Sequence, residues 1–176
     1  MNKLEIRTLT PADWEAVCAF RDDWARDQGE FSIDETKLLS ALTKDDFEAF
    51  VCEMKAQETE VAQENWSTVS KYYAFLDGNI VGNISCRWQI EKGNLLEWGG
   101  HIGYGVAPSY RGHHFARKMV QFALEEYRKK DIFKVMISAH ENNEASKKTI
   151  VACGGKLENT VSVDGGMVCR YWIDLS

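Results

Sequence analysis

Two adjacent histidines, His113 and His114, lie in a polar stretch between a predicted strand and a predicted helix. The stretch reads Val106-Ala-Pro-Ser-Tyr-Arg-Gly-His-His-Phe-Ala-Arg-Lys-Met119. Pro108 stops strand pairing and Gly112 permits an unusual turn, so a helix is expected to begin near Gly112 or His113. The first amides of a helix have no partners inside it. The turn therefore predicts an anion site, most naturally for phosphates, built from backbone N–H groups.

The histidine side chains fit other chemistries less well. The chain has four histidines: His101, His113, His114 and His140. Adjacent histidines on a helix diverge by about 100°, and no Cys or carboxylate stands at ligand spacing around them, so no metal is predicted. The P-loop pattern, the dinucleotide fingerprint and the G-x-S-x-G elbow of a Ser-His-Asp hydrolase are all absent. The histidines are interpreted as positions in a turn whose amides do the binding.

The charge of the chain is unevenly distributed. The net charge of −6 argues against a nucleic-acid partner. Residues 1–70 carry 7 Lys and Arg against 16 Asp and Glu, whereas residues 71–176 carry 14 against 11. The acidic part favours a cationic partner molecule, although solvated acidic faces on surface helices explain most of these carboxylates equally well.

Length and composition predict one soluble domain. The chain has 176 residues, of which 44% are hydrophobic, and no apolar run approaches the roughly 20 residues of a membrane span. The first residues lack the apolar core of a signal peptide, so a cytoplasmic protein without a membrane partner is expected. The five cysteines are widely spaced without a C-x-x-C pair, which predicts free thiols.

Hydrophobic periodicity and turn residues predict the order of the elements. A strand at Leu4–Thr8 precedes a helix opened by Thr10-Pro11, and Ser32-Ile-Asp34-Glu35 opens a helical region to about Trp66, broken near Thr43. Further strands are predicted at about 72–76, 80–88, 97–106, 133–139, 157–163 and 167–173, and helices at 112–130 and 144–152. This order predicts a mixed α/β sheet in one layer with helices on both faces.

Three segments resemble the GCN5-related N-acetyltransferase (GNAT) family. Arg111-Gly-His-His114-Phe-Ala116 stands in place of the Q/R-x-x-G-x-G/A signature, after a strand that ends Val106-Ala-Pro108. Glu141-Asn-Asn143-Glu-Ala-Ser146, followed by Gly154-Gly155, resembles the second cofactor motif. The resemblance covers the chain from Leu4 and is strongest over 99–155, where residues 99–106 are similar to a bacterial subgroup of predicted acetyltransferases.

The resemblance implies the acyl-CoA N-acyltransferase fold, an α/β fold with a mixed, mostly antiparallel sheet of six to seven strands. It implies a single domain over 1–176, with acceptor-side helices at about 11–66 and an acetyl-CoA-binding core at about 97–155. The pantetheine arm of acetyl-CoA would enter a V-shaped gap between the strands at 97–106 and 133–139. The implied cofactor-binding residues are Tyr104, Gly105, Val106, Arg111, Gly112, His113, His114, Phe115, Ala116, Arg117, Asn143 and Ser146. Two alternatives stay open: Asn143 could simply cap the helix at Glu144, and the arginines could be surface charge.

Three positions depart from the family pattern. His114 stands where a glycine is usual, and keeps the N–H donor while adding a side chain. Ile150 replaces the tyrosine that commonly protonates the departing thiolate, and Ser138 replaces a glutamate found in some members. The usual route to a general acid is therefore closed, although a thiol with a pKa of about 8.5 is a tolerable leaving group without one.

The candidates for the catalytic base are Glu97, His101, Tyr171 and Tyr73. Acetyl transfer needs a neutral amine, an N–H donor for the oxyanion and a proton source for the thiolate. Glu97 and His101 are four residues apart and share a face if their strand is regular, whereas a bulge would change that parity. A packed histidine and a solvated strand end are the structural alternatives.

The chain is thus expected to be an N-acetyltransferase that moves an acetyl group from acetyl-CoA to a primary amine, with a homodimer left open. A cationic small molecule or a protein amine is the expected acceptor. The competing interpretation is a non-catalytic acyl-CoA-binding sensor or scaffold of the same fold, which the departures at Ile150 and Ser138 favour. An interaction protein with the fold alone is less favoured, because the phosphate-binding turn is intact in outline.

Overall fold

The computed structural model describes residues 3–27 and 34–176, with side chains from residue 37 in the second range. In the described chain one strand is followed by three helices and three strands, and then by a helix, a strand, a helix and two final strands. The strands are β1 (Glu5–Arg7), β2 (Val69–Leu76), β3 (Asn79–Arg87), β4 (Ile102–Val106), β5 (Lys134–His140), β6 (Lys156–Val163) and β7 (Gly166–Asp174). The helices are α1 (Trp14–Ala25), α2 (Asp34–Ser40), α3 (Lys44–Ala56), α4 (Phe115–Lys129) and α5 (Glu144–Ala152). The predicted α/β class is confirmed.

The first sheet is antiparallel and has the order β1-β2-β3-β4. Its central hairpin turns at Asp77-Gly78, where both residues have positive φ (50° and 81°), as a two-residue Asp-Gly turn requires. The hairpin register places Asn83 opposite Tyr73. Since side chains alternate between faces, Asn83 and every second residue after it form one row on the same face of β3.

The second sheet has the order β5-β7-β6 and is also antiparallel. The expected single layer is therefore divided into two sheets of four and three strands, whose edge strands β4 and β5 face each other. The two sheets contact each other at Gly100 and His101, which lie next to Met136 of β5.

Helices cover both faces of the first sheet, as expected. On one face, α4 buries Phe115, Met119, Ala123 and Tyr127, which recur every four residues. Burial of each large apolar side chain contributes about 1.5–3 kcal/mol, so this stripe fixes α4 against the sheet. On the opposite face, α1 and α3 form a second core around Tyr73 of β2.

The second helical region is shorter than expected. α3 ends at Ala56 rather than near Trp66, because the following segment instead bonds to the chain after β3: Thr68 N–H donates to Gln89 Oε1 at 2.9 Å. The break near Thr43 is confirmed, and the predicted helix start at Ser32 lies outside the described residues. No helix in the described part of the chain is long and apolar enough to cross a bilayer. The cytoplasmic location stays a prediction.

Candidate functional site

The facing edges of β4 and β5 meet at one point. His101 N–H donates to Met136 O at 2.8 Å, and Met136 N–H donates to His101 Nδ1 at 2.9 Å. Gly100, with φ of 71°, permits this approach because a Cβ there would lie 2.9 Å from Met136 O. Among residues 3–27 and 34–176, no other backbone hydrogen bond joins the two strands. They therefore enclose a gap closed at His101.

His101 forms this closure with both its backbone and its side chain. Its side chain is only 4% exposed, and the bond from Met136 occupies Nδ1. Burial, assisted by the positive charge of Arg87, lowers the pKa of His101 to about 4. The imidazole is therefore neutral near pH 7, with its proton on Nε2. A neutral acceptor in this position holds the two sheets together.

This geometry predicts a pH-dependent stability. The folded-state pKa of His101 lies below the unfolded value of about 6.5, so the unfolded chain takes up the proton first. The contribution of neutral His101 to the free energy of unfolding is fully present above pH 6.5 and is lost as the pH falls toward about 4. We expect the fall in Tm between pH 7 and pH 5 to be smaller in His101→Asn, which keeps an acceptor that does not titrate. His113→Asn, at an exposed site, is the control and should keep the wild-type slope. An unchanged slope in His101→Asn would contradict the assignment.

Glu97 does not lie on β4. Residues Leu95–Gly99 form a single π-helical turn closed by Gly100 N–H to Leu95 O at 2.6 Å, and the strand begins five residues later than predicted. The glycine pair at 99–100 is the physical reason, since Gly weakens a strand and permits the positive φ of this turn. Glu97 is exposed and lines a separate cavity of about 440 Å³ together with Arg170 of β7. Glu97 and His101 therefore do not share a strand face.

The two tyrosine candidates lie in different cores. Tyr171 pairs with Ile137 in the second sheet, and its burial raises the pKa of its hydroxyl. Tyr73 is fully buried beneath α1 and α3, where its hydroxyl lies 4.0 Å from Met54 Sδ. The structure thus brings none of the four base candidates together with another.

The predicted phosphate turn lies beyond the open end of the gap. After β4 a 3-10 turn at Pro108–Tyr110 leads to Gly112, whose φ of 83° is accessible mainly to glycine. α4 begins at Phe115, slightly later than predicted. The first amide bonded to the cap residue is Lys118 N–H, which donates to His114 O at 3.2 Å. The amides of 115–117 precede this hydrogen bond and are oriented out of the helix end.

The end of α1 anchors this turn. Asp23 accepts two hydrogen bonds from Ser109, from the backbone N–H at 3.0 Å and the hydroxyl at 2.6 Å. Arg111 forms an ion pair with Asp27 at 2.7 Å, and its guanidinium lies over the ring of Trp24. Arg111 therefore holds the turn against α1, in addition to any contact with a ligand.

His114 adopts a left-handed backbone conformation, which explains why a glycine is usual at this position of the family pattern. It caps α4 with φ of 61° and ψ of 19°, the left-handed region that costs an L-residue about 1–2 kcal/mol. Replacing His114 with Gly should relieve this strain, partly offset by the entropy of the unfolded chain, and raise Tm by about 2 °C. His113→Gly is the matched control and should lower Tm, since His113 does not have a positive φ. An unchanged or lower Tm in His114→Gly would contradict the strain.

The start of α5 faces β4 across the gap. Asn143 caps the helix, since its Oδ1 accepts Ser146 N–H at 3.1 Å, and its amide nitrogen is a further donor. The hydroxyl of Tyr104 reaches from β4 to Ser146 Oγ at 2.8 Å. Burial raises the pKa of Tyr104 to about 12. A protonated tyrosine hydroxyl therefore lies one helical turn before Ile150, which is fully buried.

A large cavity opens on the other face of the first sheet, under α3 and the segment that follows it. Its volume is about 1130 Å³, and it extends to Gly103 and Tyr104 of β4, so it borders the gap. Its charged lining residues are Glu53, Glu60, Lys71, Arg87 and Lys92. Among the lining residues that the structure describes, three are cationic and two carry carboxylates.

Two groups at this site were not found from the sequence. The first is the Tyr104 hydroxyl, which only the packing of α5 against β4 reveals. The second is Asn83, a 6% exposed amide that lines the cavity. The available signal was a polar residue at every second position of an otherwise apolar strand, at Asn83, Ser85 and Arg87. No group of three metal-ligating side chains occurs within 3–27 and 34–176.

Comparison with known families decides the identity. The model of the acetyltransferase (GNAT) domain matches residues 3–156. The chain belongs to the GNAT acetyltransferase family. No curated protein matches this GNAT sequence at a significant level.

Solved structures share the GNAT fold of this chain. The putative acetyltransferase yncA from Salmonella typhimurium with its cofactor acetyl-CoA has a TM-score of 0.64 at 15% identity, covering 98% of this chain and 94% of that one. PaiA N-acetyltransferase from Thermoplasma acidophilum in complex with coenzyme A has a TM-score of 0.61 at 17% identity, with coverages of 98% and 99%. A GNAT acetyltransferase from Streptococcus pneumoniae has a TM-score of 0.66 at 16% identity, with coverages of 99% and 100%. The expected acyl-CoA N-acyltransferase fold is confirmed.

Proposed function

We propose that this GNAT acetyltransferase transfers an acetyl group from acetyl-CoA to a primary amine by direct attack within a ternary complex. Acetyl-CoA is the donor, in line with the acetyl-CoA and coenzyme A complexes of similar structures. The observation that carries the proposal is the adjacency of three features: a β4 edge that pairs with no strand in the described part of the chain, outward amides at the start of α4, and a cavity that reaches Tyr104.

The residues present fit the donor. The backbone of Tyr104, Gly105 and Val106 offers an open strand edge for the amide groups of a pantetheine arm. The amides of residues 112–117 and the positive end of the α4 dipole suit a pyrophosphate. The Asn143 amide nitrogen and Ser146 hydroxyl lie across the gap from this edge. We propose the division into an acceptor side at 11–66 and a donor side at 97–155 on the same grounds.

Acetyl-CoA supplies the reactive thioester when bound. The amine nitrogen attacks its carbonyl carbon, the C–S bond breaks, and the departing thiolate needs a proton. We propose that the Tyr104 hydroxyl donates that proton and regains one through Ser146 Oγ, with which it shares a hydrogen bond. A phenol whose pKa is raised to about 12 stays protonated, and so remains a donor, across the physiological range. Tyr104 thereby takes the role that Ile150 cannot fill.

The attacking amine must also lose a proton. Glu97 lines a different cavity, His101 is occupied by Met136, and Tyr171 lies in a core. We therefore propose that the acceptor amine loses its proton to water through the open cavity. A homodimer stays a prediction of the sequence.

The test is release of free thiol from acetyl-CoA across a panel of primary amines, with thermal shift by CoA measured in parallel. We expect CoA to raise Tm and at least one class of amine to accelerate thiol release well above hydrolysis. Stabilisation by CoA without turnover on any amine would favour the non-catalytic acyl-CoA-binding alternative. No stabilisation by CoA would contradict both.

A further inference from the structure

The large cavity has apolar walls that the proposed acetyl transfer does not use. Leu38, Val61 and Trp66 line it and are exposed, and Trp66 is 53% exposed. Val69 of β2 and Leu95 of the π-helical turn are half-buried and extend the same lining. Exposed apolar side chains that gather in one concave surface are typical of a ligand contact, whereas singly scattered ones need no explanation. The cavity therefore suits a ligand with an apolar part.

Trp66 is exposed on a backbone that is held on both sides. On one side, Asn65 Oδ1 accepts Gly93 N–H at 3.0 Å. On the other, Ser67 Oγ accepts Trp88 N–H at 3.0 Å. A tryptophan has only two side-chain torsions, so an indole on a held backbone loses little conformational entropy when a ligand stacks on it. The exposed indole is thus part of the cavity wall rather than of a loose loop.

We propose that the acceptor is an arylalkylamine, a primary amine joined by a flexible chain to an aromatic ring. The ring stacks on Trp66 among the apolar side chains of the lining, and the amine reaches Gly103 on the β4 edge, which lines the same cavity. This inference rests on the proposed acetyl transfer and names the class of molecule that receives the acetyl group.

The width of the cavity floor sets the length of the chain between ring and amine. The floor runs from Val69 at the start of β2 to Gly103 on β4, two strands away in the order β2-β3-β4. Neighbouring strands lie about 4.8 Å apart, so this width is about 10 Å. Trp66 precedes Val69 by three residues, which assigns the ring to the β2 side. A ring on a one-carbon chain is therefore too short, and a longer chain is required.

The apolar lining also separates this class of acceptor from a polyamine. Beside Leu38 and Val61, a second ammonium would lose hydration without gaining a polar partner from these side chains. An aromatic ring in the same place gains both apolar burial and stacking on the indole. An apolar ring is therefore the better occupant of this wall.

The first test compares butylamine, benzylamine, 4-phenylbutylamine and spermidine as acceptors in thiol release from acetyl-CoA. We expect kcat/KM for 4-phenylbutylamine to be at least 10-fold higher than for butylamine, which lacks the ring, or for benzylamine, which has the shorter chain. Equal turnover of butylamine, or better turnover of spermidine, would overturn the inference while leaving acetyl transfer intact. Absence of turnover on every amine, despite binding of CoA, would overturn the transfer itself and the inference with it.

The second test uses Trp66→Ala. The variant should lower kcat/KM for 4-phenylbutylamine at least 10-fold, mainly through KM, and leave kcat/KM for butylamine and KM for acetyl-CoA within about twofold. Trp66→Phe keeps an aromatic surface and should recover most of the loss. Because the side chain is exposed, the Tm of Trp66→Ala should stay within about 2 °C of the wild type.

Trp98→Ala is the matched control for the loss of an exposed indole. Trp98 is 39% exposed but lines the separate cavity that contains Glu97. The control should leave the turnover of both amines unchanged. Equal losses on 4-phenylbutylamine in Trp66→Ala and Trp98→Ala would overturn the assignment of Trp66 as the residue that selects the acceptor. An equal loss on butylamine and 4-phenylbutylamine in Trp66→Ala would overturn it as well.

Discussion

Replacing Ala116 with Asp is expected to lower the affinity for CoA by about 100-fold while leaving the free protein as stable as the wild type or slightly more so. Ala116 is the second residue of α4, among the outward amides. A carboxylate there would lie near the bound phosphates, and two charges about 4 Å apart repel by about 4 kcal/mol at an effective dielectric constant of 20. Screening by salt reduces this to the expected loss of roughly 2–3 kcal/mol. The same carboxylate interacts favourably with the helix dipole.

Isothermal titration with CoA measures the expected loss of affinity, and thermal melts without CoA measure the stability of the free protein. Gln121→Asp is the matched control, because it makes the same change of charge at an exposed position of α4 beyond its first turn. It should leave the Kd for CoA within about twofold, since the dipole effect is confined to the end turns. Equal losses in the two variants would point to the overall charge of the helix rather than to its terminal amides.

Tyr104→Phe is expected to lower kcat by about 10- to 100-fold with little change in KM for acetyl-CoA. The variant removes the hydroxyl that reaches Ser146 and keeps the ring packed against α4 and α5. General acid catalysis contributes typically 10²–10⁴-fold, and the modest basicity of a thiolate reduces its dependence on an acid. The loss should be smaller for thioesters of more acidic thiols, because these leave without protonation.

Tyr72→Phe is the control for the loss of a buried phenol. Tyr72 lies on the same face of the first sheet, packs edge-on against Phe122, and has a pKa that burial raises to about 12 as well. Steady-state kinetics of thiol release should give Tyr72→Phe a near-normal kcat. If both variants lose kcat alike, or if Tyr104→Phe is fully active, Tyr104 is not the proton donor.

The elements that the sequence predicted well are those with strong local signals. α5 was predicted at Glu144–Ala152 and is observed there, because Asn143 caps it and a glycine pair follows it. The hairpin at Asp77-Gly78 follows from the positive φ that both residues adopt readily. These signals depend on neighbours in sequence and need no knowledge of the rest of the fold.

The failures concern backbone geometry that distant parts of the chain determine. The segment from Glu97 to Val106 is predicted as a strand, but the close approach of Gly100 to Met136, which accompanies the π-helical turn before β4, depends on a distant part of the chain. This turn places Glu97 outside the gap, where it lines another cavity. In the same way, the sequence does not show that His101 is buried against the second sheet, where its neutral ring accepts Met136 N–H.

The acceptor side could not be read from composition. An excess of carboxylates in residues 1–70 predicts a cationic acceptor, and this stays a prediction, because a net charge does not say which side chains line a cavity. Lys71 of β2 and Arg87 of β3 line the cavity, although both belong to residues 71–176 and not to the acidic part of the chain. That Asn83 Oδ1 is buried without a hydrogen-bond partner among the described residues is likewise visible only in the folded structure.

The single contact between the two sheets has a consequence for the behaviour of the protein in a crowded cell. β4 and β5 are each the outer strand of their sheet, and they bond to each other only around His101 in the part of the chain that is described. Open strand edges are templates on which foreign chains can add a strand, which promotes aggregation. A pantetheine arm that pairs with β4 would also shield this edge. The cellular supply of the donor would then govern not only turnover but also the solubility of the enzyme.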